Sequence, residues 1–152
     1  MTGWTKGNEK INALLREGSL EKIGGETASG EPGLRKALRR LATAEAIKDD
    51  DPESALLLAY EAVHTAGFAL LAQQGLRPTR AGGHLAVEQA LNAQFGGPMR
   101  KYGWLRTARH HDMYPAFPGE RVDPDELAEA INDAEAILNA TAGILPELTL
   151  FR

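Results

Sequence analysis

The stretch from Pro52 to Gln74 limits the folds open to this chain more than any other. It is apolar on nearly every side, and its most apolar run, Ala55 to Ala72, carries only Glu61 and His64 mid-span. A helix hydrophobic all round must be enclosed by other elements or by lipid. A carboxylate and an imidazole halfway along favour enclosure by protein, because both are costly in hydrocarbon. Asp51-Pro52 supplies a cap and a first-turn proline, and Gly75 stands where a left-handed residue ends a helix. The stretch therefore reads as the central helix of a bundle.

The flanking sequence supplies its partners. Asn8 to Glu17 predicts a short helix with Ile11, Leu14 and Leu15 inward, and Ser19 can cap a second turn containing Leu20 and Ile23. Gly24 to Gly33 reads as a flexible connection. Pro32 to Lys48 predicts a helix with the stripe Leu34, Leu38, Leu41 and Ala44, and with Arg35, Lys36, Arg39 and Arg40 opposite. After a loop from Gly75 to Gly83, His84 to Phe95 reads as a helix through Leu85, Leu91 and Phe95, ended by Gly96-Gly97-Pro98. Met99 to about His111 follows, then Pro115 to Gly119 as turn. Asp123-Pro124-Asp125-Glu126 starts a last helix, to about Leu145, with Leu127, Ile131, Ala134, Leu138 and Leu145 inward.

No strand-like alternation and no repeat is visible, and aromatic residues make up only 6%. The expectation is one all-α domain, an up-and-down bundle of five or six helices. Residues 1–31 form an N-terminal helix and connection, and residues 32–152 the bundle. The chain has no cysteine, so disulfides and thiolate metal sites are excluded, and a cytoplasmic home fits. Its N-terminus shows no apolar signal core, and nothing calls for a membrane.

The chemistry concentrates in Leu105 to Pro115, which holds Arg106, Arg109, His110, His111, Asp112 and Tyr114. On a helix Arg106, Arg109, His110 and Met113 share a face, whereas His111 lies about 140° round from Arg106. That pair can serve one substrate only near a frayed end, or when a second copy faces the first. Net charge is −4, yet Arg77, Arg80, Arg100, Lys101, Arg106 and Arg109 face only Glu88 between residues 77 and 109. The remaining 11 of the 17 basic and 20 of the 21 acidic residues lie elsewhere. A basic stretch on an acidic body suits phosphate or RNA, although it also suits a solvated helix face. Gly82-Gly83-His84 could offer backbone N–H groups to a phosphate, or be an ordinary two-glycine turn.

Glu61 and His64, one turn apart, are either a satisfied core pair or groups that orient an arginine. Adjacent histidines point about 100° apart, so His110-His111 with His84 or His64 makes a poor chelate, and no metal or cofactor is expected. Arginine clamps phosphate and histidine moves protons near neutral pH, the minimum kit for metal-free RNA cleavage by a 2′-OH.

At these residues the chain resembles the HEPN superfamily, whose hallmark is Arg, four to six residues, then His, near the end of a bundle helix. Residues 50–63, 73–84 and 109–115 are similar to small stand-alone HEPN proteins of actinobacteria, and the resemblance spans roughly Pro32 to Leu145. Two registers fit. In one, Arg106 and His111 form the pair. In the other, Arg109-His110 replaces a frequent Arg-Asn and Tyr114 takes the aromatic or histidine position, which leaves no catalytic histidine unless His110 or His111 substitutes. The spacing to Tyr114-Pro115 favours the second.

The resemblance implies a homodimer with motifs meeting across its two-fold axis, and RNA cleavage or RNA binding in toxin–antitoxin or phage defence. It equally allows a silent module that binds nucleotides or a partner protein such as an antitoxin. Glu61 fits the family's acidic position, which steadies the motif arginine, so Glu61 is expected to contact Arg106 or Arg109.

Overall fold

The computed structural model describes residues 4–152, so Met1 to Gly3 of the N-terminal stretch lie outside it. Six α-helices are present among the described residues: α1 (Asn8–Arg16), α2 (Glu31–Ile47), α3 (Pro52–Gln73), α4 (Gly83–Phe95), α5 (Tyr102–Met113) and α6 (Pro124–Ile144). The all-α bundle expected from sequence is what forms. α3 is long and apolar enough by composition to cross a membrane, and here it is the axis of the bundle. Ala55, Leu56, Ala59, Tyr60, Ala62, Val63, Ala66, Leu70 and Leu71 are all enclosed along its length. α2 and α6 pack along it, α5 and α4 close its remaining sides, and α1 rests on α4. Trp4 fixes that end by donating its indole N–H to the Gln94 carbonyl at 3.0 Å and packing on Phe95.

The helix boundaries follow the chemistry of the chain. The Asp51 carboxylate accepts from Ser54 N–H at 3.2 Å, and Pro52 occupies the first turn. Gly75, at φ +73°, sends its N–H back to Ala72 and so closes the far end. Asp123 accepts from Asp125 N–H at 2.9 Å at the start of α6, whose Leu127, Ile131, Ala134 and Leu138 are buried as expected. α4 can lie close to α3 because residue 67 is glycine: a Cβ there would fall 2.6 Å from Leu91 Cδ1.

Two expectations need correction. Ser19 to Ile23 is not a helical turn, because Leu20–Lys22 (β1) pairs antiparallel with Leu76–Pro78 (β2). Leu20 and Leu76 are thereby sunk into the core. Leu38 and Leu85, assigned to inward stripes, are 46% and 52% exposed; Ala37 on α2, and Ala86 and Val87 on α4, take the inward places. The connection before α2 is tied to α3 at its end, where Gly30 N–H donates to Gln73 Oε1 at 2.8 Å.

Candidate functional site

The polar groups of three helices meet where α3, α4 and α5 converge. α3 presents Tyr60, His64 and Phe68, spaced four apart and therefore stacked on one face. α4 adds His84 in its first turn and Glu88 one turn later. α5 adds Tyr102, Arg106 and Arg109. His64 and His84 stack with centroids 4.0 Å apart and planes within 8°. Tyr60 lies nearly parallel to both rings, with centroids 5.6 Å from His84 and 6.1 Å from His64. Tyr102 meets Tyr60 edge-on at 6.0 Å. Each imidazole is engaged at Nδ1 by a phenol, His84 by Tyr60 at 2.6 Å and His64 by Tyr102 at 2.8 Å.

Burial sets the protonation states of this stack. It pushes the Tyr60 phenol up to about 12 and raises Tyr102 well above its ordinary value, so both keep their protons. It pulls His64 down to about 4, with help from His84, Arg109 and Arg40. Burial also lowers His84; Glu61 opposes that shift, and Arg109 and Arg106 reinforce it. The result near neutral pH is two uncharged imidazoles, each with Nε2 free of the phenols. His64 is then too weak a base to take a proton at neutral pH, and serves better as a packing and hydrogen-bonding group.

The two arginines differ. Arg106 is neutralised: its Nε donates to Glu88 Oε2 at 2.6 Å, with that carboxylate only 14% exposed. Gly103 makes room for this pair, since a Cβ there would sit 2.5 Å from Glu88 Oε1. Arg109 lies with its guanidinium carbon 5.7 Å from the centroid of the Tyr60 ring, and makes no ion pair among the described residues. The expected contact from Glu61 is therefore not made. Glu61 pairs with neither arginine, and the carboxylate that steadies Arg106 is Glu88.

The other sequence candidates scatter. His111 pairs with Glu120 in the following loop, and His110 packs on Tyr114 at 4.9 Å; all three of His110, His111 and Tyr114 are exposed. Within one chain Arg106 and His111 point to different neighbours, as the helix geometry requires. Arg77 pairs with Glu21 across the hairpin at 2.6 Å and Lys101 with Glu129 at 3.7 Å, so the basic stretch is not one free patch. Arg80 and Arg100 make no ion pair among the described residues. The two-glycine turn before His84 is no open phosphate cradle: Gly82 N–H donates to Thr79 Oγ1 and Gly83 N–H to the Thr79 carbonyl.

Tyr60, Tyr102, Glu88 and Arg40 were missed from sequence. The signals were the Tyr60-His64-Phe68 spacing and Glu88's place as the one acid in the basic stretch. Among the described residues no three His, Asp or Glu side chains are grouped to hold a metal ion.

This combination of all-α bundle, polar cluster and arginine-bearing helix can be compared with known proteins. No curated protein and no solved structure gives a significant match. The family model for the HEPN domain matches residues 31–145, which takes in α2 through α6 and every residue of the imidazole stack. The chain belongs to the HEPN domain family.

Proposed function

We propose that this chain binds RNA phosphates at the face where α4 meets α5, as a cytoplasmic homodimer, and cleaves RNA there without a metal in a toxin or phage-defence role. The observation that carries the reading is the state of Arg109. The residue is partly buried, its guanidinium lies over the Tyr60 ring of the stack, and it makes no ion pair among the described residues. A partly desolvated cation left uncompensated by its own chain is a site for an external anion. The Arg109 register of the motif follows, because Arg106 is already tied to Glu88. In this reading Arg80 and Arg100 are further phosphate contacts, and a second copy of α5 brings His110 or His111 towards the phosphate held by Arg109.

A second reading has its own support. His111 is occupied by Glu120, and no histidine of the motif helix hydrogen-bonds within the stack. A silent module, binding nucleotides or a partner such as an antitoxin through the same arginine, fits that arrangement.

One experiment separates the two. Purified protein is titrated into labelled RNA across a salt series, and incubated with total RNA in EDTA. Binding should weaken steeply with salt, and Arg109→Ala should lose most of the affinity. Cleavage in EDTA giving 2′,3′-cyclic phosphate ends, lost in Arg109→Ala, supports the nuclease. Binding without cleavage supports the silent module. Unchanged RNA affinity in an Arg106→Ala, Arg109→Ala double variant ends the RNA reading.

A further inference from the structure

Two enclosed phenols in the stack carry protons that need acceptors, and where those protons go decides what His84 can do. Tyr60 and Tyr102 are both fully buried, and both keep their protons near neutral pH. A buried hydroxyl left without an acceptor is costly. His84 Nδ1 lies 2.6 Å from Tyr60 Oη, and His64 Nδ1 lies 2.8 Å from Tyr102 Oη. A neutral imidazole has one bare nitrogen and one N–H. Each phenol therefore donates, each Nδ1 is the bare nitrogen, and each Nε2 carries the ring proton.

His84 is the imidazole placed to use this. It is half-buried in the first turn of α4, and His64 lies flat against it at 4.0 Å. That stacking fixes the plane of its ring, and the bond from Tyr60 fixes the rotation within the plane. Its Nε2–H meets no partner among the described residues. The charged groups that bear on it are Glu61 on α3, and Arg109 and Arg106 on α5. Arg106 is spent on Glu88, whereas Arg109 makes no ion pair among the described residues. Arg109 also lies over the ring of the same Tyr60 that holds Nδ1. One phenol thus organises a neutral N–H donor and a guanidinium with open donors.

We propose that His84 binds the RNA phosphate as a neutral Nε2–H donor beside Arg109, that Tyr60 is the positioning residue that sets its tautomer, and that His84 is not the proton acceptor of the site. This rests on the RNA-phosphate reading above and assigns a second donor to it. In this tautomer Nε2 has no lone pair to offer, so a base has to come from elsewhere, in keeping with His110 or His111 of a second copy. A phosphodiester carries a single negative charge, whereas a terminal phosphate monoester carries about two at pH 7. One open guanidinium with a neutral donor therefore matches an internal phosphodiester better than a chain end.

The test uses the ¹⁵N-labelled full chain and an uncleavable 2′-O-methyl RNA oligonucleotide without terminal phosphates. Long-range ¹H–¹⁵N spectra of the histidine rings report which nitrogen carries the proton. At pH 7 His84 should be the Nε2–H form, and its Nε2 resonance should shift with the proton retained as the oligonucleotide saturates. His84→Gln, whose amide N–H falls at the place of Nε2, should keep most of the affinity. His84→Asn, whose amide reaches only the place of Nδ1, should lose about tenfold or more, as expected for a hydrogen bond to a charged group. Tyr60→Phe should move the His84 Nδ1 resonance and weaken binding. The same oligonucleotide with a 5′-phosphate should bind no more tightly, and a clear gain would overturn the phosphodiester assignment. A bare Nε2 on His84 would overturn the proposal. Affinity lost in Arg109→Ala but unchanged in His84→Ala would also overturn it, and would leave the RNA reading standing. No saturable binding by the native chain would end both.

Discussion

The half-buried imidazole of His64 makes this fold sensitive to acid in a way that can be isolated. Burial, then the charges of His84, Arg109 and Arg40, lower it to about 4 in the folded chain. In the unfolded chain it titrates near an ordinary value of about 6.5. The depressed folded value means that the unfolded state binds the proton more tightly. The contribution of His64 to stability is therefore complete above about pH 6.5 and is lost as pH falls towards 4. The whole gap corresponds to about 3 kcal/mol, of which about 2 kcal/mol should be gone by pH 5. The perturbation is His64→Gln, which keeps a hydrogen-bonding side chain and cannot titrate. Urea denaturation followed by circular dichroism gives both unfolding free energies at pH 7.5 and 5.0, at one protomer concentration so that any assembly cancels. Groups away from the stack contribute equally to both proteins, and His84, stacked on His64, is followed through its own ring-proton resonance in each. The native chain should lose about 2 kcal/mol more than the variant between these pH values. Equal losses, or a His64 proton resonance that titrates near 6.5 in the folded chain, would refute the burial argument.

Tyr102→Phe keeps the ring in the core but leaves His64 Nδ1 without its 2.8 Å partner; it should cost about 1–3 kcal/mol in chemical denaturation and shift the His64 titration. Gly67→Ala drives a Cβ to 2.6 Å from Leu91 and 3.0 Å from Val87, so overpacking of about 1–3 kcal/mol should outweigh a helix-propensity gain of about 1 kcal/mol. A raised melting temperature would show that α4 yields instead. Glu88→Gln releases Arg106 from its 2.6 Å pair, and the salt dependence of RNA binding should then steepen by about one counterion. An unchanged slope would mean that Arg106 does not reach a phosphate.

The chain's own periodicity determined the helices and their order. An all-round apolar run between Asp51-Pro52 and Gly75 has few ways to hide itself except as the middle of a bundle, and the Asp123-Pro124 start of α6 is equally local. These features are legible because caps and stripes act over one or two turns. The paired strands were not, because three residues cannot display an alternation and the partners Leu20 and Pro78 are far apart in the chain. Nor could the pattern say that Leu38 and Leu85 stay exposed, because that depends on how closely neighbouring helices approach. The site divides in the same way. Arg106, Arg109, His64 and His84 stood out by residue type, and the basic stretch by composition. Which arginine is neutralised, which histidines stack and which phenol meets which imidazole join residues 18 to 38 apart on three helices. Packing angles and the gaps left by Gly67 and Gly103 make those contacts, and they exist only once the bundle has closed.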